Sequence, residues 1–401
     1  MRKIAFSPPD IGEEEIAEVV SVLRSGWITT GPRTKQLEND LAAYTGTAKS
    51  AVLNSGTAAM ELTLRLFGIG PGDEVITTAY TYSASASVIV HVGATPILVD
   101  TAKDSYEMDY EALEAAITPK TRAVIPVDIG GVMADYSTVR RIAEEKKNIF
   151  QPQNDTQASL GRILILADAA HSIGAQRDDI SSGLYGDFTA FSTHAVKNVT
   201  TAEGGAVTWR SGIIDMSDEE IYRQFMLLSL HGQNKDALQK SGAGSWEYDI
   251  LGTYYKNNMT DIHAAIGVVQ LKRYPELLER RKEICRMYDE ILNPKGIKTL
   301  QHSGESFESS RHLYLTRIPG IKEEERNRII ESLGEMGVTA NVHYKPLPML
   351  TAYKNLGFKI EDYPCAYSQY ENGISLPLHT LLSDEDVQYT AQSLLRAGRD
   401  L

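Results

Sequence analysis

Between about residues 50 and 210, short β-rich runs alternate with stretches of helical period. The runs are AVLNS, EVITT, TPILVD, AVIPVD, ILILADAA, DFTAFS and GAVTW. They are largely apolar with no strict alternation, which suits strands covered on both faces, and helices over Thr57 to Phe67 and Tyr136 to Lys146 fall between them. The pattern predicts an α/β fold: a mostly parallel, mixed sheet between two layers of helices.

Upstream, residues 10 to 46 read as two helices joined by the turn-rich SGWITTGPRT. Downstream, DIHAAIGVVQLKRYPELLERRKEICRMYDEIL is long and helical, with Pro275 expected to break a helix or start one. The last hundred or so residues mix two expected strands, LYLTRI and TANVHY, with helices over EEERNRIIESLGEMG and DEDVQYTAQSLLRAG. The expected organisation is a large domain with an N-terminal helical arm over 1–260, then linking helices and a small α+β domain over 261–401. Residues 146 to 162, KKNIFQPQNDTQASLGR, are polar and carry no period; they read as a surface insertion in preference to a functional flap.

Composition narrows the partners. With a formal charge of −13 over 401 residues, the surface opposes nucleic acid and anionic lipid, which leaves small-molecule chemistry. Cys285 and Cys365 stand far apart with no CxxC motif or His/Cys cluster, so neither a disulfide framework nor a metal site is expected. The N-terminus lacks the apolar core of a signal peptide, and no run is long enough to span a bilayer. The expectation is a cytoplasmic protein.

Three segments carry chemistry. In LNSGTAAMELTLRLF an apolar strand runs into Ser55-Gly56-Thr57 and then a helix; free N–H groups at the helix start, with the Thr57 hydroxyl, make an anion site, and a plain N-cap is the alternative. In ILILADAAHSIGAQ a buried strand delivers Asp168 to its carboxyl end, where open α/β sheets bind ligands, with His171 just beyond. In FSTHAVKNVTTAEGGAV, Lys197 follows a strand ending in Ser192 and Thr193, whose hydroxyls suit a phosphate oxygen; the Glu203-Gly204-Gly205 turn is expected to pass close to a ligand. A phosphate cradle, an acid and a lysine together match pyridoxal phosphate: the acid favours a protonated pyridine nitrogen, and the amine traps the aldehyde as a Schiff base. Tyr82, beside Tyr80, is placed to stack on the ring, with core packing as the alternative.

The order SGWITTGP, NSGTAAM, GATPILVD, ADAAHSIGA, FSTHAVKNVTTAEGGAV, YKNNMTDIHAAIGVVQL and VHYKPL resembles the DegT-type (DegT/DnrJ/StrS) family of pyridoxal-phosphate-dependent nucleotide-sugar aminotransferases, of fold type I, over nearly the whole chain. The resemblance implies that Lys197 carries the cofactor and moves protons, and that Asp168 contacts the pyridine nitrogen. It implies further that Gly56, Thr57 and Ser192 hold the phosphate, that Tyr82 stacks on the ring, and that Asn258 reaches the phosphate of a neighbouring subunit. Homodimers with shared active sites follow. His171 also belongs to the cofactor site; Trp27, Thr29, Thr30, His343 and Tyr344 sit where relatives contact the sugar nucleotide.

The implied reaction moves nitrogen from an amino acid, glutamate being expected, to a nucleotide-linked keto sugar. The C4 ketone of a UDP- or dTDP-linked 4-keto-6-deoxy sugar leads, and the C3 ketone is the alternative. A dehydratase branch of the family has histidine in place of the lysine, and Lys197 argues against it. A regulatory protein that binds cofactor or nucleotide sugar without turnover is the remaining alternative.

Overall fold

Each apolar run forms a strand. In chain order these are β1 (Ser50–Leu53), β2 (Glu74–Thr78), β3 (Thr95–Val99), β4 (Thr121–Ile125) and β5 (Leu164–Asp168). A short ribbon follows, β6 (Gln176–Arg177) with β7 (Ile180–Ser181), then β8 (Phe188–Ser192) and β9 (Gly205–Trp209). The computed structural model describes residues 2–235 and 247–399. Seven strands make one sheet in the order β1-β9-β8-β5-β4-β2-β3, and only β9 runs against its neighbours.

Helices cover both faces. Leu62, Phe67, Trp209 and Phe225 pack on one side, and Ile76, Val124, Tyr136, Val139 and Ile165 on the other. The double cover explains why the strand sequences do not alternate. Because β1, β2, β4, β5 and β8 are mutually parallel, the segments that follow them all emerge at one edge of the sheet, where ligands bind in such folds.

Two expectations fail for packing reasons. Pro275 neither breaks nor starts a helix; it lies inside one continuous helix, Asp261–Leu292. A proline there costs about 3 kcal/mol, yet both halves of this helix are anchored. Ala264, Leu271 and Tyr274 sit against Leu37, Leu41 and Ile173, while Ile284, Tyr288 and Leu292 sit against Tyr314, Ile374 and Leu376. The second group belongs to a smaller antiparallel sheet of β10 (Lys298–Thr299), β12 (Tyr314–Arg317) and β13 (Gly373–Leu376), while β11 (Phe307–Glu308) joins the ribbon at β6. TANVHY is not a strand. It changes partners along its length, Thr339 N–H donating to Ile4 O and Asn341 bridging Ser375, and then enters the cavity described below.

Segment 146–162 contains a short helix, Asp155–Leu160, capped by Asn154. The side-chain amides of Asn154 and Gln157 donate to Phe67 O at 3.0 and 2.8 Å, just past the C-terminal end of the helix Gly56–Leu66. At about 1.5 Å per residue, that helix holds the insertion well away from Gly56, so it is a surface feature. Among the described residues no helix is long and apolar enough to cross a membrane.

Candidate active site

A cavity of about 440 Å³ opens at the carboxyl edge of the sheet. Its floor begins with the turn after β1. Ser55 caps the following helix, its hydroxyl accepting from Ala58 N–H at 3.0 Å. Thr57 is left over: its hydroxyl and the N–H groups of Gly56 and Thr57 have no partner among the described residues. Ser192 lies against Gly56, where an added Cβ would come within 3.1 Å of Ser192 Cβ.

These donors converge on one spot at a helix N-terminus, the arrangement that binds phosphate. Thr193, paired with it at the sequence level, is not part of this. Its hydroxyl is buried and bonded to Thr201 at 2.6 Å. The glycine turn lies where expected, since Glu203 and Gly204 line the cavity. Gly205 meets a further demand: a Cβ there would stand 2.2 Å from the Ser55 carbonyl carbon, where β9 passes the Ser55–Thr57 turn.

Asp168 ends β5 and is buried. Ser85 donates to its Oδ2 at 2.6 Å and Ala170 N–H to its Oδ1 at 3.2 Å. Burial raises its pKa, against the pull of those hydrogen bonds and of the Lys197 charge. Lys197 sits in the turn after β8, its N–H bonded to His194 O. Among the described residues no group hydrogen-bonds or ion-pairs with its amine. Burial pushes the amine down to about 8, with Asp168 pulling the other way. The stem is covered and the residue keeps partial access to solvent at the cavity.

The remaining wall comes from distant segments. Tyr82 is 64% exposed and so is not core; its ring lies 5.9 Å from that of Tyr344. His171 is buried and pairs with the Tyr344 hydroxyl at 3.1 Å. His343 lines the cavity, stacks on Phe6 and bonds Ser375, and burial depresses it to about 4. Trp27, Thr29, Thr30 and Asn258 do not line this cavity. Asn258 donates to the Thr30 hydroxyl at 2.6 Å, Trp27 Nε1 donates to Thr30 O at 3.1 Å, and Thr29 O accepts from Asp261 N–H. They form a separate cluster beside the start of the long helix.

The model of the DegT/DnrJ/EryC1/StrS aminotransferase family matches residues 9–395. The chain belongs to that family. Spr1654 of Streptococcus pneumoniae, assigned as a sugar aminotransferase and solved in a PMP form, superposes with a TM-score of 0.96 at 55% identity, covering 99% of this chain and all of that one. PseC of Helicobacter pylori, an aminotransferase involved in the biosynthesis of pseudoaminic acid, is 28% identical with a TM-score of 0.86 over the full length of both chains. SpsC of Bacillus subtilis, a spore coat polysaccharide biosynthesis protein, is 37% identical over 404 residues, 99% of this chain and 97% of its own.

The DegT family works with pyridoxal phosphate, and Spr1654 has also been solved in a PLP form. The residues present fit that cofactor. Unspent donors at Gly56, Thr57 and Ser192 suit its phosphate, the buried Asp168 carboxylate suits a protonated ring nitrogen, and an unpartnered amine suits its aldehyde.

A pH dependence follows for any DegT enzyme built this way. Only the neutral amine attacks the aldehyde, so the rate at which ligand-free protein takes up pyridoxal phosphate should rise about tenfold per pH unit below the amine's pKa. With Lys197 at about 8, stopped-flow growth of the visible absorbance band should level off near that pH. A rise continuing past pH 10 would show an unperturbed lysine.

Sequence reading passed over Ser85, Asn198, Gly130 and His312. Ser85 hides among small residues in TYSASASVIV and shows itself only by its bond to Asp168. Asn198 stands next to Lys197 with its amide turned away into the protein. His312 and Gly130 come from stretches with no recognisable motif.

Proposed function

We propose that this aminotransferase transfers an amino group from an amino acid, L-glutamate, to the C4 ketone of a UDP- or dTDP-linked 4-keto-6-deoxy sugar, in the cytoplasm, for a cell-surface glycan. The observation that carries the reading is the unpartnered amine of Lys197, depressed to about 8, beside the buried Asp168. The names of SpsC and PseC support the sugar and glycan part.

In this reading Gly56, Thr57 and Ser192 grip the phosphate, and Tyr82 and His171 bound the ring. Pyridoxal phosphate supplies an aldehyde for covalent attachment and a ring that delocalises negative charge. Lys197 would hold the cofactor through its amine and, once freed by a donor amine, would serve as the base that moves the donor's Cα proton. Asp168 holds a proton at the ring nitrogen. His343 and Tyr344 line the sugar side of the cleft.

The proposal includes a homodimer with shared sites. Among the described residues that line the cavity, Lys197 is the single lysine or arginine, whereas glutamate brings two carboxylates and a nucleoside diphosphate brings two or more negative charges. Their charge needs a second source of donors, and in this reading the cluster of Trp27, Thr29, Thr30 and Asn258, which lies outside the cavity, serves a partner's site. Mixed dimers test this. Lys197→Ala and Asn258→Ala homodimers should each be weak, and a purified heterodimer of the two should recover about half of the wild-type rate, since one of its two sites is then intact. Recovery no greater than that of the Asn258→Ala homodimer would put Asn258 in its own chain's site.

The reaction itself is tested by incubating the holoenzyme with glutamate and a panel of UDP- and dTDP-linked 3-keto and 4-keto sugars, and following amino-sugar formation by mass spectrometry. Amination of a 4-keto sugar is expected. Amination of 3-keto sugars alone would move the site to C3, and no turnover of any keto sugar with any amino donor would sink the reading in favour of a binding protein.

A further inference from the structure

Behind the cavity wall two buried imidazoles lie face to face. The rings of His171 and His312 are 4.3 Å apart at 33°, and burial keeps both pKa values well below the ordinary histidine value, so each is neutral. A neutral imidazole has one N–H and one lone pair, and its neighbours determine which nitrogen carries which.

For His171 the choice is made by the backbone. Gly130 N–H donates to Nδ1 at 3.2 Å. That spends the lone pair, so the proton is on Nε2, and Nε2 faces the Tyr344 hydroxyl at 3.1 Å. His171 is then the donor and the Tyr344 oxygen the acceptor. The hydrogen of that hydroxyl has no acceptor among the described residues, and Tyr344 lines the cavity.

For His312 the choice falls the other way. Asn198 directs its NH₂ group to Ser310 O at 2.7 Å and to the Tyr274 hydroxyl at 3.2 Å. Its oxygen is left for His312 Nδ1 at 3.0 Å, which must therefore be the N–H.

The frame that enforces this is tight. Gly130 and Gly131 both have positive φ, 66° and 97°, a conformation other residues rarely adopt. A Cβ on Gly131 would stand 3.0 Å from the N atoms of both Arg311 and His312. Gly130 O accepts from His312 N–H at 2.9 Å, and the Ser310 hydroxyl donates to His171 O. One glycine residue, Gly130, thus sets the tautomer of one histidine through its N–H and the position of the other through its carbonyl.

We infer that His171 is locked as the Nε2-protonated tautomer, that Tyr344 in consequence presents its hydroxyl hydrogen to the cavity, and that Asn198 and His312 are the positioning residues that hold this arrangement. Tyr344 is then a one-way donor. It recognises an acceptor oxygen of the bound ligand, a carbonyl or phenolate oxygen, and disfavours an N–H donor in that place. The inference rests on the proposed reaction only for the nature of that ligand.

The direct test needs no turnover. In ligand-free protein labelled with ¹⁵N-histidine, two-bond ¹H–¹⁵N correlation spectra, assigned with His171→Gln and His312→Phe, should show His171 protonated on Nε2 and His312 on Nδ1 at neutral pH. A Nδ1–H form or an imidazolium at His171 overturns the lock, whatever the enzyme aminates.

Kinetics then test the consequence. Tyr344→Phe should lower kcat by about 10- to 100-fold, the range for one well-placed donor. Asn198→Ala should shrink the Tyr344→Phe effect to about threefold, which a double-mutant cycle reads directly. His171→Gln, which keeps an acceptor for Gly130 and a donor for Tyr344, should be about tenfold faster than His171→Phe, which keeps neither. Equal rates for those two variants, or a Tyr344→Phe effect untouched by Asn198→Ala, would overturn the positioning role.

Discussion

Lys197→Ala should reduce turnover by about 10⁴-fold or more, the scale of losing a covalent and proton-transfer group together, and should leave the fold intact. The two outcomes have one cause. Among the described residues the amine has no hydrogen bond or ion pair, so its removal gives up only its attraction to the Asp168 charge while relieving the burial of its own charge. Lys197→Arg should be no better, because a guanidinium stays protonated and cannot attack an aldehyde. Single-turnover amino-sugar formation and the visible absorbance of bound cofactor check the first part, and urea unfolding of the ligand-free protein checks the second. Residual activity above about one part in a hundred would remove Lys197 from the role assigned to it.

Asp168→Asn should show the opposite pairing of effects. Removing one partner of a buried charge pair costs about 3–5 kcal/mol, so kcat should fall by about 10²- to 10⁴-fold once the cofactor is bound. The ligand-free protein should become more stable. Burial raises the Asp168 pKa above its free value of 3.8, so the folded chain holds its proton to a higher pH than the unfolded chain does. Stability is therefore lost as pH rises from 3.8 through the raised value. Asparagine has no such loss, and the gain in urea midpoint should be larger at pH 8 than at pH 4. A variant destabilised at pH 8 would show that the carboxylate supports the ligand-free fold.

The sheet was legible because strands buried on both faces leave continuous apolar runs, and β4, β5 and β9 are buried at every residue. The Ser55–Thr57 turn, Asp168 and Lys197 could be placed from the sequence because each lies at or within a few residues of the end of a strand, where the period changes abruptly. Pro275 misled because local propensity was weighed without the two cores that clamp its helix. TANVHY misled because β-propensity does not reveal that a segment changes partners. Gly204 marked the approach to the cavity correctly, while Gly205 meets the backbone at Ser55; a neighbouring backbone and a ligand ask the same of glycine. Ser85, Gly130, Asn198 and His312 were out of reach. Each acts through a bond to a residue far away in sequence, and nothing local records it.

The distance along the chain between the two walls of the cavity bears on how this protein is made. The sheet, with the phosphate turn, Asp168 and Lys197, is complete by Trp209. The opposite wall waits for Tyr344, which meets His171 across 173 residues, and for His343, whose carbonyl meets Tyr80 across 263. Contacts of such separation close late, because long loops must be ordered before they form. On a ribosome the lysine therefore emerges well before the cleft that confines it, and because burial is what lowers its pKa, a truncated or half-folded chain would carry that amine protonated like any surface lysine until the second wall closes.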